Sequence, residues 1–221
     1  MTQDASRWDL RPAPDDFPDD VWALGADLAP GTLVAAYRLG LFPMHVNGVL
    51  AWFSPPARGI VPLERRPSRR LRRARRGFEI RLDTAFGEVI RGCADPARPH
   101  GWLDEEFIAA YEELHRLGIA HSIEAWDGAG LAGGLYGVEL GGLFAAESKF
   151  YRRTGASQAA LCGLIERLQQ AGDPDRRLLD VQWATPYLEG LGAVTVTRAE
   201  YRERLAVALG LPAALGETTG V

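Results

Sequence analysis

From His121 to Phe150 the chain alternates short apolar runs with glycine-marked turns, at Asp127-Gly128 and again at Gly141-Gly142. Successive side chains of a strand point to opposite faces, so three such runs joined by tight turns commit this segment to an antiparallel meander and the molecule to a sheet at its centre. About thirty residues later, Leu178-Leu179-Asp180-Val181-Gln182-Trp183 reads as another strand. Asp180 and Gln182, two apart, should point the same way, with Leu179, Val181 and Trp183 on the apolar side. An acid beside an amide is more than a core strand requires, and this pair is the first candidate for a reaction site.

The flanking sequence supplies helices. Pro30 opens one with apolar positions at Leu33, Val34, Tyr37 and Leu41, stopped by Gly40 to Pro43. Asn47-Gly48 is a hairpin signal between Phe42-Pro43-Met44 and Ala51-Trp52-Phe53. Pro55, Pro56 and Gly59 punctuate the next stretch, which places a domain boundary near residue 57. Residues 1–57 are then a small N-terminal domain whose first twenty or so residues, rich in Asp and Pro, are expected to be poorly ordered. In the larger domain, 58–221, a strand is expected at Phe78 to Leu82, a helix capped by Asp83 and reaching Cys93, and a helix capped by Asp104 with Phe107, Ile108, Tyr111 and Leu114 on one face. A helix from Ser157 to Gln170, a strand at 193–197 and a helix from Arg198 to Leu209 complete a mixed α/β sheet with helices on its faces.

Net charge is −4, but eight of the twelve residues from Arg65 to Arg76 are arginine, and the other 17 basic residues face 29 acidic ones. A basic stripe on an acidic body is a local anion site, and a polyphosphate backbone is its commonest partner; a solvated arginine-rich loop is the plain alternative. Cys93 and Cys162 have no spacing that suggests a zinc site or disulfide. No stretch has the length of charge-free apolar sequence that a membrane span needs, and the unpaired cysteines suit a reduced cytosol, so a soluble cytoplasmic protein is expected; a monomer is the default expectation, with nothing in the sequence that sets the oligomeric state.

Taken in order, Gly40-Leu41-Phe42-Pro43, Trp52-Phe53-Ser54-Pro55, Gly101-Trp102-Leu103, Ala120-His121-Ser122-Ile123-Glu124, Gly133-Gly134-Leu135-Tyr136-Gly137-Val138, Glu147-Ser148, Asp180-Val181-Gln182 and Leu191-Gly192-Ala193 run through nearly the whole chain. In this series the chain resembles the leucyl/phenylalanyl-tRNA–protein transferases. The resemblance implies an N-acetyltransferase-like (GNAT-type) domain joined to a small N-terminal one. It also implies transfer of Leu or Phe from aminoacyl-tRNA to a protein N-terminal Arg or Lys, a mark for N-degron degradation.

An aminoacyl ester is already activated, so attack by an amine requires neither ATP nor metal, and no cofactor is expected. By resemblance Asp180 and Gln182 form the catalytic relay, in which the Gln182 carbonyl orients the amine and Asp180 supplies charge, while Glu147 attracts the positive acceptor. The plain alternative makes Asp180 a loop cap and Glu147 a surface carboxylate. Trp102 and Tyr111 match positions associated with the aminoacyl-adenosine end, where an aromatic face can stack on adenine; each is also readable as a plain core aromatic, Tyr111 more readily. Leu135, Leu164 and Leu179 offer an apolar lining at matching positions. Arg65, Arg66, Arg69, Arg70, Arg72, Arg73, Arg75 and Arg76 would steer the acceptor stem through its phosphates.

The chain departs from the family pattern at Met44, where a tryptophan is usual, and at Lys149, where a methionine lines the amino-acid pocket. A buried lysine is costly unless paired, so Lys149 either finds a partner or changes the aminoacyl group accepted. Two other functions are readable: a non-catalytic tRNA- or peptide-binding relic, and an acyl-coenzyme A acetyltransferase, whose phosphate loop Arg152-Arg153-Thr154-Gly155-Ala156-Ser157 fails at its last position.

Overall fold

The computed structural model describes residues 6–96 and 103–216. At the Asn47-Gly48 turn φ is 52° and 78°, the left-handed pair whose twist suits a two-residue hairpin. It joins β2 (Phe42–Val46) to β3 (Val49–Phe53), and with β1 (Val21–Leu24) these form a three-stranded sheet of order β1-β3-β2 beside helix α1 (Pro30–Arg38). Ser54-Pro55-Pro56 leads into a second sheet of seven strands. These are β4 (Ala57–Val61), β5 (Glu79–Leu82), β6 (Ala120–Asp127), β7 (Gly130–Leu140), β8 (Leu143–Tyr151), β9 (Leu178–Gln182) and β10 (Val194–Thr197), in the order β10-β4-β9-β8-β7-β6-β5.

Strands β6 to β8 are the expected meander. Every neighbouring pair is antiparallel except β8 and β9, which run parallel because helix α5 (Ala156–Gln170) carries the chain between them over one face. Helix α2 (Arg69–Arg75) packs on α5 on that face. Helices α3 (Phe86–Cys93), α4 (Glu105–Arg116) and α7 (Arg198–Ala208) cover the other, and the short α6 (Pro186–Glu189) follows β9. The architecture is mixed α/β, and its two sheets share one core: Tyr37, Phe42 and Trp52 from the small sheet side pack with Tyr111, Tyr136 and Tyr201. No helix among the described residues is long and apolar enough to cross a membrane.

Three local expectations are corrected. Asp83 does not cap α3, which starts three residues later at Phe86; with φ of 57° it turns back to accept from Ser122 N at 2.8 Å and to pair with His121 Nδ1 at 2.6 Å. The arginine stripe is not all loop, since Ser68 caps α2 and Leu71 anchors it in the core. Residues 6–20 are tied down: the buried Arg198 guanidinium donates to the carbonyls of Pro14 and Phe17 at 2.7 Å each and of Asp19 at 3.1 Å, and also to that of Ser54.

Candidate active site

The parallel β8–β9 ladder is short. It pairs Leu143, Phe144 and Ala145 with Leu178, Leu179 and Asp180, and beyond that point the strands part. Each carries a bulge just there. The register of β8 on β7 slips between Ala146 and Ser148, leaving Glu147 as the extra residue, and that of β9 on β4 slips between Asp180 and Gln182. A bulge re-aims a side chain out of strand alternation. Here the two bulges turn Glu147 and Gln182 toward each other across the gap, with Gln182 Nε2 donating to Glu147 Oε1 at 3.3 Å.

Gln182 adopts φ of 59°, a left-handed conformation that costs a non-glycine residue energy unless its surroundings fix it. Two features fix it. Its backbone N–H donates to Asp180 Oδ1 at 2.8 Å. Opposite it on β4 stands Gly59, where a Cβ would lie 2.4 Å from Ala184 N, so the turn past Gln182 fits only against a bare backbone.

Asp180 is fully buried, and its charge is met by Arg58. Arg58 Nε donates to Oδ1 at 3.0 Å and Nη2 to Oδ2 at 2.5 Å, while Tyr201 OH adds 2.9 Å to Oδ2. The guanidinium lies between the rings of Phe42 and Tyr201, 4.5 and 4.4 Å from their centroids, and its pKa is raised by Asp180 despite burial. The expectation that Asp180 and Gln182 point together into one site is therefore corrected. Only Gln182 reaches the gap; Asp180 stays beneath it.

Glu147 is the titratable group of the gap. Tyr111 OH donates to its Oε2 at 3.1 Å, and Tyr37 OH meets Tyr111 OH at 2.6 Å. Burial of the carboxylate pushes its pKa up to about 7, against the lowering effect of the Tyr37 and Tyr111 hydroxyls. At neutral pH such a group exchanges its proton readily, unlike an ordinary surface carboxylate.

The gap opens into a cavity of about 250 Å³ with Glu147 and Gln182 on one side and Leu135, Ala146, Leu161, Val181 and Leu188 as its apolar wall. Of the expected lining, Leu135 is present; Leu164 and Leu179 are fully buried behind it, and Leu161, Val181 and Leu188 take their place. Lys149 also lines the cavity, and its ammonium stands 4.9 Å from the Tyr187 ring centroid, where the ring face meets the charge. Met44 sits on β2 opposite Ala51, packed on the core and outside the cavity lining. Tyr111 has no open ring face for a base, being wholly buried with its hydroxyl on Glu147. Trp102 lies outside the described residues. Arg58, Tyr201 and Tyr37 escape sequence reasoning because their partners lie 122, 21 and 74 residues away.

Of the arginines, Arg65, Arg66, Arg69, Arg70, Arg73 and Arg76 are exposed. Arg75 is held by Glu166 at 3.3 Å and by the Phe78 carbonyl at 3.0 Å, and Arg72 by the Pro67 carbonyl at 3.1 Å. Among the described residues no group of three or more His, Cys, Asp or Glu could hold a metal ion.

A family model described as leucyl/phenylalanyl-tRNA protein transferase matches residues 60–206, and the model of that family's N-terminal domain matches residues 26–56. The chain belongs to the leucyl/phenylalanyl-tRNA–protein transferase family. Curated relatives bearing that name include one from Herpetosiphon aurantiacus, 45% identical over 82% of this chain and 95% of its own. Another, from Chlorobium limicola, is 47% identical over 81% and 94%. Transferases of this name are aminoacyltransferases, which sets aside the acyl-coenzyme A reading. A solved structure of a functionally unknown conserved protein from Staphylococcus epidermidis is 12% identical over 80% of this chain and 68% of its own, with a TM-score of 0.42.

Proposed function

We propose that the protein transfers Leu or Phe from aminoacyl-tRNA to the α-amine of a protein N-terminal Arg or Lys, a product that marks the acceptor for degradation, and that its larger sheet is of the N-acetyltransferase type. The observation that carries the reading is the meeting of Glu147 and Gln182 over an apolar cavity of about 250 Å³, suited to one amino-acid side chain. The aminoacyl side chain fills the cavity against Leu135, Leu161 and Val181, which leaves its ester carbonyl at the gap. Gln182 donates to Glu147, so its own carbonyl oxygen is free to accept from the incoming amine and aim the lone pair.

The acceptor amine arrives as an ammonium. Glu147, titrating near neutrality, accepts its proton, the amine attacks the ester carbon, and the collapsing intermediate returns a proton to the departing ribose oxygen. Asp180 acts through Gln182. It is a positioning residue, because Arg58 and Tyr201 already engage its carboxylate and its link to Gln182 runs through the backbone N–H. The Tyr187 ring beside the Lys149 ammonium and the packing of Met44 outside the cavity lining both speak against the relic reading.

The test is mass spectrometry of reporter peptides with different N-terminal residues after incubation with a full pool of aminoacyl-tRNAs. Leu or Phe added to Arg or Lys peptides is the expected product. Addition of another residue would overturn the specificity, and no addition would overturn the activity.

A further inference from the structure

After α7 the chain folds back over the turn between β7 and β8. Gly142 N donates to Ala208 O at 2.7 Å, and Arg177 Nη1 donates to Pro212 O at 2.9 Å. A side chain at Gly141 would meet the Leu209 and Leu211 carbonyls at 2.8 Å, so residues 209–216 lie on that turn as a strap with no helix or strand of their own. The strap leads to a carboxylate. Glu139, buried near the end of β7, accepts from Ala214 N at 2.8 Å, from Leu215 N at 3.2 Å and from Gly216 N at 3.3 Å. Three successive N–H groups aimed at one carboxylate hold a negative charge far better than a neutral group.

His121 on β6 stands against that carboxylate. Its Nδ1 pairs with Asp83 Oδ2 at 2.6 Å, and its buried Nε2, which makes no hydrogen bond among the described residues, lies 3.7 Å from Glu139 Oε2. The strap covers the ring: a Cβ on Gly216 would lie 2.9 Å from His121 Cε1. From α4, His115 Nδ1 lies 3.8 Å from Asp83 Oδ1 and 2.8 Å from the Ala120 carbonyl. One imidazole thus stands between two carboxylates, and among the described residues no lysine or arginine pairs with either of them. None of these groups lines the reaction cavity.

We propose that His121 and Glu139 form a proton-operated latch for the C-terminal strap, closed while His121 is an imidazolium and opened as it loses that proton. Neutral His121 leaves two carboxylates under the strap without their cation, and water reaches them when the strap lifts. Burial lowers the His121 pKa, but the hydrogen bond and charge of Asp83 and the charge of Glu139 outweigh it and hold the value above the usual 6.5. Burial raises the Glu139 pKa above 4.5, against the strap N–H groups and His121. Both groups therefore bind protons more tightly under the strap than in water, so rising pH favours the open form. The His121 contribution is complete below about pH 6.5 and is lost as pH climbs through its higher folded value.

The experiment is amide hydrogen exchange on the full-length protein at about pH 6 and about pH 8.5, corrected for the intrinsic pH dependence of exchange. Protection at Ala214, Leu215 and Gly216, taken relative to the amides of β6 and β7, is expected to fall roughly ten-fold between the two values, the worth of one hydrogen bond to a charged group. His121→Gln and Glu139→Gln should each show low strap protection at both values, and Gly216→Ala, which crowds the ring and leaves the pair intact, should lower it at pH 6. Equal wild-type protection at the two values would overturn the latch. So would a fall that persists in His121→Gln, since that variant keeps Glu147, which titrates in the same range. Should one glutamine variant lose protection in β6 and β7 as well, it has not folded, and the other variant with Gly216→Ala decides. No step of the experiment uses tRNA, so the latch and the transferase reading stand or fall separately.

Discussion

Arg58 and Asp180, 122 residues apart in sequence, form a two-point ion pair with both side chains almost wholly out of solvent. Removing one partner strands the other charge in the core. Arg58→Met is expected to cost about 3–5 kcal/mol in urea denaturation, and adding Asp180→Asn to recover a good part of it. Additive losses in the double variant would show that the pair does not act as a unit.

Glu147 sets a pH dependence with a defined sign. Its folded pKa of about 7 lies above the ordinary carboxylate value of 4.5, so the folded state loses stability as pH rises from about 4.5 to 7. Glu147→Gln should therefore lose transfer activity yet gain stability relative to the wild type at pH 8, and not at pH 4. Thermal melts at the two values decide this.

The transfer rate itself should climb through pH 7 as Glu147 becomes able to take a proton. Tyr111→Phe deletes a hydrogen bond that favours the carboxylate, and so should move that rise to higher pH. A profile of kcat/KM that does not shift would deny Tyr111 this influence.

Gln182→Ala should lower transfer by roughly ten- to a thousand-fold with little change in melting temperature, since the lost group orients substrate and does not build core. Gly59→Ala is the contrasting case. Its Cβ cannot coexist with the backbone at Trp183 and Ala184, so both stability and transfer should fall.

Narrowing the cavity should change the choice of donor. Leu161→Phe reaches in from α5 and should depress Phe transfer more than Leu transfer, with a change in the ratio of roughly ten-fold or more. Competition between the two charged tRNAs measures the ratio directly.

The meander, the hairpin at Asn47-Gly48 and the cap at Asp104 are legible in the sequence because each is written in neighbouring residues. Glu147 and Gln182 are legible as residues; their meeting is not, because it depends on two bulges in separate ladders that no alternation pattern announces. Helix α2 is hidden because eight arginines read as charge before they read as helix, although arginine is a good helix former and Ser68 is a sound cap. The ordering of residues 6–20 is invisible for a different reason, since a segment rich in Asp and Pro finds its partner in Arg198, near the far end of the chain.

Where β8 and β9 part, the protein makes its cavity from ladder strands and the helices α5 and α6 against them, with no long loop to order. A site cut into a sheet is already paid for by folding, so a donor that enters it meets walls that do not have to close. The same geometry leaves the half-buried edge of β8 beyond Ala145 without β9 beside it. Such an edge normally invites a foreign strand, and here the Glu147–Gln182 contact and the apolar wall of the cavity stand where that strand would lie.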